Sequence, residues 1–258
     1  MKKILSVALM FAAFALVGCK KKDDNKLKIA NTRITLTSGA TETIVVKPSA
    51  DGCLFTPENE LIAYVNPNGV VTGVTIGVTY ITVTNSAKGF SEKVEVTVNP
   101  VHDLFRQPRL VFGSTIAQVK EYETRTIDAE DLDWIGYKGE NPNIVGLIYQ
   151  FDIISPGLDM VTVVTPKSTF SATLDFIEER FVYLGYDEAN KVLLFISNDL
   201  SIGVIMDHPS AKELPILMTN YIALDPSDFA SAASRTITPA LSARVKRAME
   251  RAQEIRNK

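Results

Sequence analysis

Few residues in this chain carry the chemistry of catalysis. Its 258 residues include 2 histidines and 2 cysteines. Each histidine adjoins an aspartate, as His102-Asp103 and Asp207-His208. Such pairs can hold a metal or relay a proton. Neighbours on a strand point to opposite faces, however, so neither pair converges by itself. The two pairs could meet only if the segment near residue 102 folds back on the segment near residue 207. Asp128, Glu130, Asp131 and Asp133 crowd into six residues. Oxygen-rich loops bind Ca²⁺, but this one lacks the glycine and the spaced final glutamate of an EF-hand and reads as a solvated acidic loop. Glu178 and Glu179 diverge by about 100° on a helix, which parts an acid from its base. Cys53 has no histidine nearby and reads as a small, half-buried strand residue rather than a nucleophile. No G-x-S-x-G, H-E-x-x-H, phosphate loop or C-x-x-C occurs. The expectation is a protein with no catalytic residues, no metal site and no cofactor. The competing reading is a glycan-acting hydrolase whose carboxylates are scattered in sequence and close in space.

Binding chemistry is better supplied. Trp134, Tyr137, Tyr149, Phe151, Tyr183 and Tyr186 could form a stacking platform for sugars. Aromatics on strands are more often core. Trp134, flanked by acids, and Tyr137 are the residues expected to meet a protein or glycan ligand.

A different chemistry sits at the N-terminus. Lys2 and Lys3 precede an apolar run from Ile4 to Val17, 14 residues broken only by Ser6. That is too short to cross a roughly 30 Å hydrocarbon core and has the form of a secretion signal. "LVGC" follows at the expected cleavage point and resembles the lipobox of bacterial lipoproteins. The resemblance implies that residues 1–18 are removed and that Cys19 carries the acyl chains. Each buried CH₂ contributes about 0.8 kcal/mol, so several chains on Cys19 would hold the protein on a membrane. Residues 19–26, "CKKKDDNK", then read as a charged, solvated tether. The charges directly after the cysteine resemble the export tag of outer-membrane surface lipoproteins. The expected location is therefore the outer membrane of a cell envelope, with surface exposure as a further possibility. Without Lys2 and Lys3 the chain carries 25 basic and 30 acidic residues, a net of −5. No nucleic-acid footprint is expected from that balance. Cys53 is left without an internal disulfide partner.

Residues 27–99 read as short strands rich in Val, Ile and Thr, punctuated by Ser-Gly, Asn-Pro-Asn-Gly and Lys-Gly. Turns at this spacing predict a β-sandwich. The run "IAYVNPNGVVTGVTIGVTYITVT" resembles the group 2 bacterial Ig-like domains, on Ile62, Ala63, Val65, Gly69, Val71, Gly73, Gly77, Ile81 and Val83. The family's common tryptophan is replaced by the "LFTPEN" segment. The resemblance implies a spacer or adhesion module on a cell surface, with no catalytic residues to carry over.

Pro100 and Pro108 bound a seam, and the pattern changes after it. Residues 103–225 are expected to form an α+β domain. Thr115 and Gln118 predict a capping box before "IAQVKEY". Leu174, Ile177, Phe181 and Leu184 predict an amphipathic helix through "SATLDFIEERFVYLGY". "ISPG" predicts a hairpin. "WIGYKGENPNIVGLIYQFD" and "YLGYDEANKVLLFISND" match in pattern and suggest a tandem repeat of one helix plus three strands. The simplest arrangement is an antiparallel sheet with both helices on one face. Residues 226–258 read as a linker and a basic helix. Leu241, Val245, Ala248, Ala252 and Ile255 recur at 4, 3, 4, 3. Residues 235–258 carry seven basic and two acidic side chains, +5. Such a helix can lie on an anionic membrane or dock on an acidic partner. The fold class is thus mainly β plus α+β: a membrane-anchored Ig-like spacer presenting a binding domain, or a structural subunit of an envelope assembly.

Overall fold

The computed structural model describes residues 26–154, 156–211 and 215–224. The leader, Cys19 and the basic segment 226–258 lie outside the described residues, as does the tether apart from Lys26. The described chain is mainly β, with antiparallel sheets and two short helices.

The first half holds nine strands: β1 (Lys28–Ile29), β2 (Arg33–Thr37), β3 (Thr41–Thr43), β4 (Val46–Lys47), β5 (Leu54–Pro57), β6 (Ala63–Val65), β7 (Val70–Gly73), β8 (Gly77–Asn85) and β9 (Phe90–Asn99). Alternation of β-branched with polar residues aims one face of each strand inward. A four-stranded sheet, β2-β9-β8-β5, and a three-stranded sheet, β3-β7-β6, share one apolar core. Ile34, Leu36, Val71, Ile81, Val83, Val94 and Val96 fill it, and Cys53 packs at its margin. Strand β2 runs parallel to β9, and β1 pairs separately with β4. Gly69 and Gly73 have different reasons to be glycine. Gly69 adopts a φ of 77° in the turn before β7, and a Cβ there would come within 2.9 Å of the Phe55 ring. Gly73 makes no turn. A Cβ on it would sit 2.5 Å from the Thr37 carbonyl, so it permits close approach of the two sheets.

The second half begins with α1 (Ile116–Tyr122), followed by β10 (Ile127–Glu130), β11 (Trp134–Lys138), β12 (Gly146–Asp152) and β13 (Gly157–Pro166). Then come α2 (Phe170–Glu178), β14 (Val182–Asp187), β15 (Val192–Ile196), β16 (Ile202–Asp207) and β17 (Ile216–Ala223). All eight strands form one antiparallel sheet in the order β10-β11-β12-β13-β17-β16-β15-β14. The repeat is therefore one helix plus four strands, and the halves meet where β13 pairs with β17. The strand added to the first unit is β10, its first, whose Asp128 and Glu130 were expected in a loop. The matching sequence hairpins are offset by one strand. "WIGYK" is the second strand of its unit, and "VYLGYD" is the first of its own.

Thr115 and Gln118 close the capping box, with Thr115 N–H donating to Gln118 Oε1 at 2.9 Å and Gln118 N–H to Thr115 Oγ1 at 3.3 Å. Helix α2 stops at Glu178, short of the expected span, so Leu184 belongs to β14. The β-prone "FVYLGYD" takes the pairing with β15 instead. Both helices pack on one sheet face, where Val119, Phe176 and Ile177 join Tyr149, Val161, Phe195 and Tyr221. The seam is part of this core as well, since Leu104, Phe105, Leu110 and Phe112 pack against it.

The two domains are locked together. Helix α2 ends against the sandwich, and Glu179 O, an orphan helix carbonyl, accepts from Ile76 N–H at 2.7 Å. The Glu179 carboxylate accepts from Val101 N–H at 2.7 Å and His102 N–H at 2.9 Å. In the β15–β16 turn, Asn198 Nδ2 donates to Ile76 O at 3.2 Å, and Asn59 Nδ2 donates to Asn198 O at 3.0 Å. Burial works against the Glu179 anion, but the His102 and Val101 N–H groups outweigh it and hold its pKa below the usual range. Replacing Glu179 and Asn198 together with alanine is expected to free the domains. ¹⁵N relaxation checks this: one shared tumbling time in the wild type, two shorter ones in the double variant. Unchanged shared tumbling would show that other contacts carry the junction.

Candidate binding surface

The charged residues that converge in the second domain are not the ones singled out by sequence spacing. Arg125 follows α1 with its side chain 2% exposed, and Glu123 beside it is 0% exposed. The guanidinium donates from Nη1 to Glu123 Oε2 at 2.7 Å, from Nε to Glu140 Oε2 at 2.6 Å and from Nη2 to Arg106 O at 2.5 Å. Tyr149 O–H donates to Glu123 Oε1, and Arg109 N–H donates to the Tyr149 oxygen at 2.8 Å. Arg106 N–H donates to Glu140 Oε1 at 2.8 Å. The Glu140 carboxyl is held below its ordinary pKa: burial opposes the anion, and the bonds from Arg125 and Arg106 outweigh it. Burial, with Glu123 alongside, pushes the Tyr149 hydroxyl far up. A carboxylate clamped to a guanidinium is a poor proton donor at neutral pH, so this constellation ties segments together rather than cleaving bonds.

The sequence candidates fall in separate places. Tyr137 faces the core, packed edge-on to Tyr149 with centroids 5.8 Å apart, so it offers no surface to a ligand. The alternation of β11 puts Ile135 and Tyr137 inward and Trp134 on the opposite face. Trp134 is half-buried, and its ring folds over Gly136, where a Cβ would stand 3.2 Å away. His102 lies 3.2 Å from Glu179 at the junction. His208 meets Phe170 and Tyr186 edge-on, with centroids 5.5 and 5.3 Å away, and Ser210 at 2.8 Å. Among the described residues, no group of three His, Cys, Asp or Glu is placed to hold a metal. Glu178 and Glu179 diverge: Glu179 turns into the junction, and burial raises the Glu178 pKa. Cys53 is a free thiol, 3.8 Å from Asn85 Nδ2.

The most exposed apolar residues gather at one end of the sheet. Leu132, in the β10–β11 turn, is 86% exposed; Ile153 and Ile154, in the β12–β13 turn, are 73% and 93% exposed. Between these turns and the start of α1 runs a groove of roughly 330 Å³, lined by Thr115, Ile116, Ala117, Leu132, Phe151, Ile153 and Pro156. Its wall is set by backbone contact: Leu158 N–H donates to Ser114 O at 2.8 Å, and Gly113 N–H to Leu158 O at 2.9 Å. A Cβ on Gly157 would lie 2.8 Å from Gly113 Cα, so that position must be glycine. Asp152 also lines the groove. Sequence spacing gave no sign of it, because its walls come from the start of α1 and two turns, about 15 to 40 residues apart in the chain.

Replacing Arg125 with methionine leaves Glu123 buried without its cation. This is expected to cost about 3–5 kcal/mol in urea unfolding of the second domain. Glu140→Gln tests the pH dependence. A depressed folded-state pKa adds stability above the ordinary glutamate value of about 4.3, and that stability is lost as pH falls through the folded value. Glu140→Gln should therefore melt lower than wild type at pH 7, with the gap closing below about pH 4. A gap independent of pH would contradict the assignment.

No family model and no curated protein matches this chain. Among solved structures it is similar to domains 5–6 of the S-layer protein SbsC, at 11% identity over 77% of this chain and 83% of that one. The TM-score is 0.23, below that of a shared fold.

Proposed function

We propose that this chain is a non-enzymatic, lipid-anchored protein of the cell envelope. In this reading Cys19 carries the acyl chains, residues 19–26 form the tether, and the sandwich of residues 27–99 is an Ig-like spacer. The second domain is then presented to a protein partner through the apolar groove. The observation that carries the reading is the grouping of Leu132, Ile153 and Ile154 around a preformed, largely apolar concavity. Three large aliphatic side chains in water at one place are what a protein interface leaves exposed. A protein suits this surface better than a glycan. Sugar platforms use flat aromatic faces, and of the two expected aromatics Tyr137 is core and Trp134 half-buried. The locked junction supports the same purpose, because a rigid spacer fixes the direction in which the groove points.

Two measurements in the native cell test this. Palmitate should label the wild type and not Cys19→Ala; label in both, or in neither, removes the anchor. A photocrosslinking residue at position 132 or 154 should give one discrete adduct, while one at exposed Val45 of the sandwich gives none. No adduct at all, or the same one from position 45, removes the groove as the docking surface.

A further inference from the structure

The sheet of the second domain has two buried faces, and the described residues account for the covering of only one. Helices α1 and α2 and the seam lie over the face that carries Val161, Phe195 and Tyr221. On the other face are Met160, Val192, Leu194, Ile196, Ile205 and Ile222, joined by Leu224. Every apolar side chain of this cluster, partly buried neighbours included, comes from β13 to β17 or the turns and ends attached to them. Yet Met160 is 1% exposed, and Ile205 and Val192 are 2% exposed. A bare sheet face does not reach such values. On the same face of β11 and β12, Trp134, Ile148 and Gln150 are only half-buried.

We infer that this second face is the docking surface of the chain's own residues 239–258. Leu224, where β17 hands over to residues 225–258, is itself a member of the buried cluster, so that segment leaves the sheet at the face in question. The other undescribed stretches fit less well. Residue 155 and residues 212–214 are too short to cover five strands. Residues 1–25 precede β1, a whole domain away in sequence, and on the proposed function their apolar run is a leader that is removed. Residues 239–258 match the face in size. As a helix they measure about 30 Å, and five adjacent strands span about 20 Å. The 14 residues 225–238 can bridge up to about 46 Å. Their chemistry matches as well. Leu241, Val245, Ala248, Ala252 and Ile255 make one apolar stripe whose two alanines let a helix axis approach a sheet closely, and the arginines beside it are long enough to reach water from its margins.

Oxidative footprinting tests this with the chain's own methionines. Met160 and Met218 lie on the second face, while Met206 lies on the first and reports whether the fold is intact. In the chain from Lys20 to Lys258, Met160 and Met218 should resist hydroxyl radicals at all protein concentrations. Ala248→Asp/Ala252→Asp should raise their oxidation about tenfold and leave Met206 unchanged. Added synthetic peptide 239–258 should restore protection, and the peptide with both aspartates should not. The inference is overturned if both methionines stay protected in the variant, if they are already oxidised in the starting chain, or if protection falls on dilution, which would assign the face to a second copy. It is also overturned if protection requires residues 1–18. Should the variant lose its fold and expose Met206 too, hydrogen exchange on the unmutated chain decides. Slow amides across 241–255 sustain the inference, and amides exchanging at unfolded rates overturn it.

Discussion

The guanidinium of Arg125 sets where the segment between the two domains lies. It binds Glu123 and Glu140 on either side and still reaches the carbonyl of Arg106. One cation in a nearly dry site thus joins the end of α1, the β11–β12 connection and the seam. The fully buried Glu123 and the partly exposed Glu140 gain strength against this arginine from the low dielectric, but desolvation cancels much of that gain. What the arrangement supplies is position. Any other placement of residues 106–114 would strand a charge. With that segment fixed, Tyr149 holds Arg109, Arg109 Nε holds Ser114 at 2.9 Å, and Ser114 O fixes the start of β13. The groove wall is the last link of this chain of bonds.

The same segment is gripped at its other end. Glu179 binds the backbone of Val101 and His102, while Arg180 Nη2 donates to His102 O at 3.1 Å and its guanidinium lies 3.6 Å from the Phe176 ring centroid. Interdomain contacts made of a few polar bonds usually permit relative motion. Here the helix terminus grips both the linker and Ile76, and the β15–β16 turn grips Ile76 and Asn59. Bonds from several elements to one junction restrict a hinge more than a single bond would.

How much of this was legible depended on range along the chain. Thr115 and Gln118 are three apart, and the capping box formed as their types required. Ile81 and Val83 alternate inward on β8 as their period implied. Tyr137 failed as a surface residue because strand parity, set by Ile135 two positions earlier, turned it to the core. Leu184 failed as a helix residue because the 3–4 spacing continued past Glu178 into a segment whose β-branched and aromatic residues pair with β15. The Arg125 cluster gathers residues 106, 109, 123, 125, 140 and 149. No local period relates them, and only the packing of α1 on the sheet brings 149 beside 123.

One signal of the two-faced sheet was present all along. "KVLLFIS" and "IGVIMD" do not alternate, and β15 is buried at every position from Val192 to Ile196. A strand covered on one side must alternate; a continuous apolar run means cover on both. Antiparallel sheets with helices on one face normally leave the other to water, and β11 and β12 follow that rule with Trp134, Ile148 and Gln150. Strands β13, β17, β16 and β15 break it at positions shared by neighbours in register, such as Ile205 opposite Leu194. A break that runs across adjacent strands is a designed surface rather than a stray residue, and it calls for a second layer there. Leu224, the last described residue of the strand's end, already belongs to the cluster that such a layer would cover.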